Sequence, residues 1–269
     1  MPELPEMETY RKLLEERIRG QVVTGSHVDR EKTINVPPQV FSQTIVGKRL
    51  IRITRRGKHL LFELESGHVL LLHLMLGGFL YWGTTEDKLD RSAQVTLSFA
   101  SHILYFHGLR LGYLHLLTPE QVNERLADLG PEPLAPAFTF SQFTQLLDKK
   151  RSLLKTALVD QHWVAGIGNC YADEICFHAG VLPTRQIPAL TSDERIRLYH
   201  AIQAVLQEAM QFGGYMEPPL YRHDALTGGY NERCRVYDRE GEPCPRCGNT
   251  IAKSMLSSRK VFACTHCQE

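Results

Sequence analysis

No apolar run in the 269 residues approaches the ~18 needed for a helical membrane span. The opening Met-Pro-Glu-Leu-Pro-Glu lacks both the basic and the apolar region of a secretory leader. The chain is therefore expected in the cytoplasm, with no membrane partner. An excess of one charge is missing too: 31 Lys and Arg against 30 Asp and Glu leave a net charge of +1. Global charge thus selects no partner, and any nucleic-acid signal must be local. Internal repeats and low-complexity tracts are also absent. In a reducing compartment, the seven cysteines are more readily metal ligands or core residues than disulfides.

Two basic stretches stand out. Residues 51–60 carry Arg52, Arg55, Arg56 and Lys58 and no acid. Residues 233–269 carry seven Lys and Arg against four acids. Taken alone, both read as solvated surfaces; each also lies beside other signals.

Along the chain, residues 5–19 read as an amphipathic helix. Met7, Tyr10, Leu14 and Ile18 lie on one stripe, and Glu8/Lys12 and Glu15/Arg19 are expected i,i+4 pairs. Short apolar runs follow at 50–53, 59–63, 68–73, 94–99, 102–106 and 111–117, separated by turns such as Arg56-Gly57 and Ser66-Gly67. Such a succession predicts a β-sandwich or barrel. Thr118-Pro119 and Thr139 read as helix starts. Between them, Gly130-Pro131-Glu132-Pro133-Leu134-Ala135-Pro136 is too proline-rich for helix and reads as a linker. Helices are expected at 141–148, 153–160, 172–179 and 192–212, and a short strand-like tail at 233–269. The expected division is residues 1–129, a linker at 130–138, a helical domain at 139–232 and a tail domain at 233–269.

Within the tail, Cys244-Pro-Arg-Cys247 and Cys264-Thr-His-Cys267 are two C-x-x-C pairs sixteen residues apart. That spacing suits a four-cysteine zinc ribbon, with thiolates about 2.3 Å from a tetrahedral ion. A ~37-residue tail has little core of its own, so the metal would supply folding energy. The competing reading is two chance pairs or a redox motif, which leaves the matched spacing unexplained. His266 lies inside the second knuckle, but four thiolates already complete the set. Cys170, Cys176 and Cys234 have no such partners and read as small buried hydrophobes.

Pro2 becomes the amino terminus once Met1 is removed, which a small second residue permits. A terminal proline carries a secondary amine, and α-amino groups titrate near ~8, so a useful fraction is neutral and nucleophilic. Glu3 offers a carboxylate to move protons. Proline at position two is common, so this start alone proves nothing.

Five segments, in order, carry a resemblance. They are Pro2-Glu3-Leu4-Pro5-Glu6-Met7-Glu8-Thr9; Gly57-Lys58-His59; Gly166-Ile167-Gly168-Asn169-Cys170-Tyr171-Ala172-Asp173-Glu174; Val236-Tyr237-Asp238-Arg239-Glu240-Gly241; and Arg259 five residues before Cys264. The set resembles the formamidopyrimidine-DNA glycosylase (Fpg/Nei) family, in its Fpg-like branch, from residue 2 to 268. The resemblance implies an α+β multidomain fold: an N-terminal β-sandwich with flanking helices, a helix–two-turns–helix domain and a C-terminal zinc ribbon. It implies removal of damaged, oxidised bases and strand scission by β/δ-elimination through a Schiff base on Pro2, with Glu3 as proton shuttle. Lys58 would join Pro2 and Glu3 as a catalytic residue, and with His73, Arg110, Asn169, Tyr237, Lys253 and Arg259 it would hold DNA. One structural zinc on Cys244, Cys247, Cys264 and Cys267 is implied, and no nucleotide or redox cofactor. The expected partner is damaged duplex, bubble or abasic DNA, met by a monomer associated with the nucleoid. Outside that context Lys58 reads as one more solvated basic residue, and His73 as a satisfied core histidine. Asn169 stands better by itself, since it follows glycines at a predicted helix start, where free N–H groups favour anions.

Two loops depart from the family pattern. Leu76, Leu109 and Leu111 stand where Met, Arg and Phe usually fill the space left by an extruded base, and Arg110 matches the second arginine of that loop. Three leucines supply an apolar wedge but no hydrogen bond to the opposite base. The loss is expected to remove ~1–3 kcal/mol of opposite-base discrimination, by analogy with a bidentate base contact. Abasic-site cleavage is expected to survive, and 8-oxoguanine release opposite cytosine to be weak. The alternatives are an abasic-site lyase with little 8-oxoguanine activity, a non-catalytic damage binder of the same fold, and a zinc-ribbon protein of transcription or RNA metabolism. The last leaves Pro2-Glu3 and the Asn169 segment unexplained.

Overall fold

The computed structural model describes residues 1–87, 89 and 91–269. Its elements run α1 (Leu4–Ile18), β1 (Val23–Val28), α2 (Pro38–Ile45), β2 (Leu50–Arg56), β3 (His59–Leu64), β4 (Val69–His73), β5 (Phe79–Gly83), β6 (Ala93–Phe99), β7 (His102–His107) and β8 (Tyr113–Leu117). There follow α3 (Pro119–Leu126), α4 (Phe140–Asp148), α5 (Leu154–Leu158), α6 (Asn169–Ala179), α7 (Ser192–Gln211), β9 (Ala252–Leu256) and β10 (Arg259–Ala263). The chain divides into two compact units: Met1–Asp128 with Phe212–Gly229, and Leu129–Gln211 with Tyr230–Glu269. Among the described residues, no helix is long and apolar enough to cross a membrane.

The first unit contains two antiparallel four-stranded sheets, ordered β1-β6-β7-β5 and β2-β3-β4-β8. Strand alternation sends Leu60, Phe62 and Leu64 of β3 inward, and Leu70, Leu72 and Leu74 follow on and after β4. These join Leu97, Leu104, Phe106 and Leu114 in one core. Val69 and Leu71, on the other face of β4, are buried too, and α3 packs against that strand. Cover on both faces is why 68–73 reads as a continuous apolar run. Helix α1 adds Met7, Tyr10, Leu14 and Ile18, the stripe expected of it. Its charges differ in part from expectation. Arg19 meets Glu15 at 3.5 Å, but Glu8 bonds Arg11 at 2.7 Å and Arg55 at 3.0 Å instead of pairing with Lys12. Arg55, on β2, reaches this carboxylate of α1 from a largely buried position.

The second unit is helical, with a two-stranded hairpin of β9 and β10. Thr139 caps α4 by accepting from Gln142 N at 3.2 Å, and Thr118 does the same for α3 in the first unit. Segment 130–138 holds no helix or strand, and its Gly130 N–H bonds Gln161 O at 2.9 Å. Residues 212–229, placed with the helices by sequence order, instead pack with the sandwich unit: Trp82 N donates to Leu220 O at 2.5 Å, and Leu220 sits in the sandwich core.

Candidate active site and zinc centre

Helix α1 begins at Leu4, so Glu3 is its N-cap and Pro2 directly precedes the helix. Pro2, Glu3 and Glu6 are all buried. The Glu6 carboxylate is a bridge: one oxygen accepts from Glu3 N at 2.7 Å and the other from Tyr215 N at 2.8 Å. The Tyr215 hydroxyl lies against Met1, 3.1 Å from its carbonyl oxygen and 3.4 Å from its nitrogen. Sequence reasoning did not foresee the contacts of Glu6 and Tyr215 at the amino terminus. The only local hint for Glu6 was an acid three residues after Glu3, the spacing of a capping box.

Lys58 follows Gly57, whose φ of +55° makes the tight β2–β3 turn. It is 4% exposed, so it is not one more solvated lysine. His73 closes β4 and is paired in register with His59 on one side and Tyr113 on the other. The two imidazoles meet edge to face at 4.5 Å, and His59 Nε2 is 3.0 Å from the Tyr113 hydroxyl. Burial pushes His59 down to about 4 and His73 to about 3, with the charge of Lys58 adding to both. His73 Nδ1 accepts from Met75 N at 3.1 Å. The neutral ring therefore carries its proton on Nε2, as a donor.

The leucines of the two departing loops do not behave alike. Leu76 and Leu111 are 67% and 65% exposed, whereas Leu109 is fully buried. Its side chain belongs to the sandwich core and its N–H bonds Gln94 Oε1 at 2.9 Å. The expectation that Leu109 is one of three wedging leucines is thus corrected: its side chain is in the core. Leu76, Leu111 and Arg110 line an open hollow of about 690 Å³ with Arg91 and Gln94.

In the second unit, α6 starts at Asn169 behind Gly168, as the glycine-asparagine run predicts. Asn169 Oδ1 is buried without a hydrogen-bond partner. Two acids inside this helix are buried as well. Asp173 accepts both its 2.7 Å contacts from the equally buried Lys155, and takes Phe262 N from β10 at 3.1 Å. Burial pushes Asp173 up to about 7 against the opposing pull of Lys155. Glu174 accepts from the amides of Arg235, Val236 and Tyr237 at 2.8, 2.9 and 2.8 Å. The Tyr237 ring packs edge-on to Phe262 at 5.4 Å. Lys253 is held by Glu240 at 2.6 Å, and Arg259 borders a small hollow with Lys155, Thr156, Val159 and Leu256. Acids in the middle of an apolar helix were the available signal for Asp173 and Glu174, because such residues stay inside only when paired.

Cys244, Cys247, Cys264 and Cys267 bring their sulfurs within 4.8 Å of one another. The Cys244–Cys267 and Cys247–Cys264 separations are 3.7 and 3.5 Å. Tetrahedral Zn–S bonds of about 2.3 Å require sulfurs about 3.8 Å apart, so the set fits zinc. Arg246 N and Asn249 Nδ2 point donors at Cys244 and Cys247, which suits thiolates. His266 lies outside the four-cysteine cluster, while Cys170, Cys176 and Cys234 are buried apart from it.

Sandwich, helical segment and four-cysteine hairpin together define a zinc-finger protein of mixed α+β class. Family models match it in three consecutive stretches: the formamidopyrimidine-DNA glycosylase N-terminal domain over residues 1–113, the formamidopyrimidine-DNA glycosylase H2TH domain over 129–217, and the zinc finger found in FPG and IleRS over 241–269. Formamidopyrimidine-DNA glycosylase of Thermus thermophilus is 38% identical over 276 residues, covering 100% of this chain and 98% of the relative. That of Pelotomaculum thermopropionicum is 36% identical over 274 residues, covering 100% and 99%. Among solved structures, the Lactococcus lactis Fpg complex with N7-benzyl-Fapy-dG DNA superposes with a TM-score of 0.92 at 31% identity, covering 100% of both chains. The same protein bound to abasic-site DNA gives 0.92 at 31% identity, covering 99% of each. The chain belongs to the formamidopyrimidine-DNA glycosylase family.

Proposed function

We infer that this chain is a base-excision DNA glycosylase and abasic-site lyase, with Pro2 as its nucleophile. The observation that carries the reading is the buried Pro2-Glu3 start, fixed at the head of α1 by the Glu6 bridge. With Met1 removed, the neutral Pro2 amine attacks C1′ of the damaged nucleotide. The C1′–base bond breaks and the base leaves with a proton. Opening of the sugar ring, with a proton delivered to O4′ to make the C4′ hydroxyl, gives an iminium, whose positive charge acidifies the C2′ hydrogen. Loss of that proton expels the 3′ phosphate, and a second elimination expels the 5′ phosphate. Glu3 carries these protons in this reading.

Lys58, His73, Arg110, Asn169, Tyr237, Lys253 and Arg259 are the proposed DNA contacts. His73 serves as a neutral Nε2–H donor and Lys58 as a fixed positive charge. Lys253 exchanges a half-exposed partner, Glu240, for phosphate at little cost. The zinc is structural: held by Cys244, Cys247, Cys264 and Cys267, it would fix the hairpin that carries Lys253 and Arg259. The corresponding division is residues 1–129 joined by 212–229, linker 130–138, the rest of 139–232, and 233–269, in a monomer acting in the cytoplasm at the nucleoid.

A narrower reading concerns substrate. With Leu109 in the core, only Leu76 and Leu111 remain as an apolar wedge. This supports efficient abasic cleavage with weak release of 8-oxoguanine opposite cytosine, and favours lesions already unstacked. Single-turnover rates on 8-oxoguanine opposite C and opposite A, beside an abasic duplex, test it. Fast release with a strong preference for C contradicts it. The nucleophile itself is tested by borohydride reduction on abasic DNA, with mapping of the crosslinked peptide.

A further inference from the structure

Tyr215 lies outside every residue assigned above, yet its hydroxyl occupies the surroundings of the amino terminus. The phenolic oxygen is 3.1 Å from the Met1 carbonyl oxygen. In a peptide unit that oxygen and the next nitrogen are about 2.2 Å apart. The phenol oxygen is therefore no more than about 5.3 Å from the Pro2 nitrogen. It also accepts from the Met1 amine at 3.4 Å. Removal of Met1 takes away these two contacts and leaves the hydroxyl within about 5.3 Å of the new terminal amine.

The placement is built in. Tyr215 N is held by the Glu6 carboxylate at 2.8 Å, and that carboxylate also holds Glu3 N. Gly213 and Gly214 precede it with φ of +72° and +75°, a left-handed pair that favours glycine. A Cβ on Gly214 would overlap the Glu6 carboxylate, and one on Gly213 the Leu226 carbonyl. One carboxylate thus registers the nucleophile's helix and the tyrosine's loop against each other, through a turn that larger residues do not fit.

We propose that Tyr215 is a further catalytic residue, acting on the Pro2 amine. The inference rests on the reading of Pro2 as nucleophile. Attack of the amine on the aldehyde carbon of an open abasic sugar gives an N–H cation and an alkoxide on one carbon. The Tyr215 oxygen accepts the nitrogen's proton while its own O–H proton passes to the alkoxide. One proton moves from N to O, the phenol is regenerated, and a neutral carbinolamine results. Its hydroxyl leaves as water with one proton from the Glu3 carboxyl, leaving the iminium. A phenol is suited to this relay because it donates and accepts at a single atom.

The test is Tyr215→Phe in the mature protein, its Pro2 terminus verified by intact mass. Single-turnover borohydride trapping on an abasic duplex is expected to slow by ~10²-fold, the lower range for a lost acid–base group, with DNA affinity unchanged. A trapping rate within about threefold of the parent overturns the proposal, since acid–base groups contribute far more. Fluorotyrosine at 215 keeps the shape and lowers the phenol's pKa. The pH profile of trapping is expected to move to lower pH with it, and an unmoved profile also overturns the proposal. If the parent's adduct does not begin at Pro2, the nucleophile reading and this inference fall together. If it does and Tyr215→Phe is as fast, this inference alone fails.

Discussion

In the sandwich, Leu60, Leu72 and Leu114 pair across three neighbouring strands and are fully buried. In the zinc hairpin, β9 is exposed along nearly its whole length, and its apolar cluster is small: Val236, Cys244, Ile251, Phe262 and Cys264 with Phe177 of α6. The sandwich is held by many interchangeable apolar contacts. The hairpin depends on four thiolates and on two buried acids of α6, Asp173 and Glu174, that grip its backbone. Many weak contacts tolerate single losses, whereas a few polar ties do not, because each lost partner leaves a buried group unsatisfied.

Breaking the metal centre should separate the two regions most sharply. Structural zinc contributes on the order of 10 kcal/mol to small domains, so chelation or Cys247→Ser should unfold the hairpin while the sandwich stays folded. Hydrogen exchange should show protection lost over 241–269 and retained in β3 and β4, with DNA binding abolished. Metal analysis finding no zinc, or normal binding by Cys247→Ser, contradicts this.

Lys155→Met should cost about 3–5 kcal/mol in urea unfolding, the usual result of stranding a buried carboxylate. Asp173 has its pKa raised to about 7 by burial, so it takes up a proton as pH falls below that value. The cost should then be smaller at pH 5 than at pH 8. The double variant Lys155→Met/Asp173→Leu should recover most of it. A pH-independent cost would show that the pair is not the cause.

Leu60→Ala should cost about 2–5 kcal/mol through the cavity it leaves, and should lower the sandwich's stability without loosening the hairpin. Hydrogen exchange separates the two effects. The smallest expected effect is acid sensitivity. His59 and His73 are depressed to about 4 and 3 in the folded state. The unfolded chain therefore binds more protons between those values and about 6.5. Their stabilisation is complete above about 6.5 and falls with decreasing pH, by at most about 1.4 kcal/mol per pH unit for each histidine. His59→Phe should flatten the decline of the urea midpoint between pH 6.5 and 4.5. An equal decline in both proteins would contradict the assignment.

Legibility in the sequence followed the same division. The α1 stripe, the threonine caps, six strands and the paired cysteines are local patterns of period, cap and spacing. Strand β1 escaped because Val-Thr-Gly-Ser-His-Val lacks an apolar alternation, and α2 because it opens on two prolines at 37 and 38. Strand β5 is buried along its length, so its short run after two glycines shows no alternation either. Leu109 resembled its exposed neighbours until the turn at Gly108, φ +66°, sent it into the core. The Tyr215–Met1 contact spans 214 residues and left no mark in any window. Lys58, His73 and most other proposed contacts were named through family resemblance, since a lysine or a histidine in isolation carries no chemistry; Pro2 and Glu3 had an amine and a carboxylate to argue from but became specific only through it, and Asn169 stood partly on its glycines and helix start.

In the proposed reaction the amine of Pro2 forms the covalent bond to DNA. Reduce the protein with borohydride on a duplex carrying one abasic site, digest the adduct and sequence the crosslinked peptide. Attack by Pro2 predicts a peptide that begins at Pro2 and carries the sugar on its nitrogen, with trapping reduced in Pro2→Gly, whose primary amine keeps some activity. An adduct on Lys58, or undiminished trapping in Pro2→Gly, would contradict it.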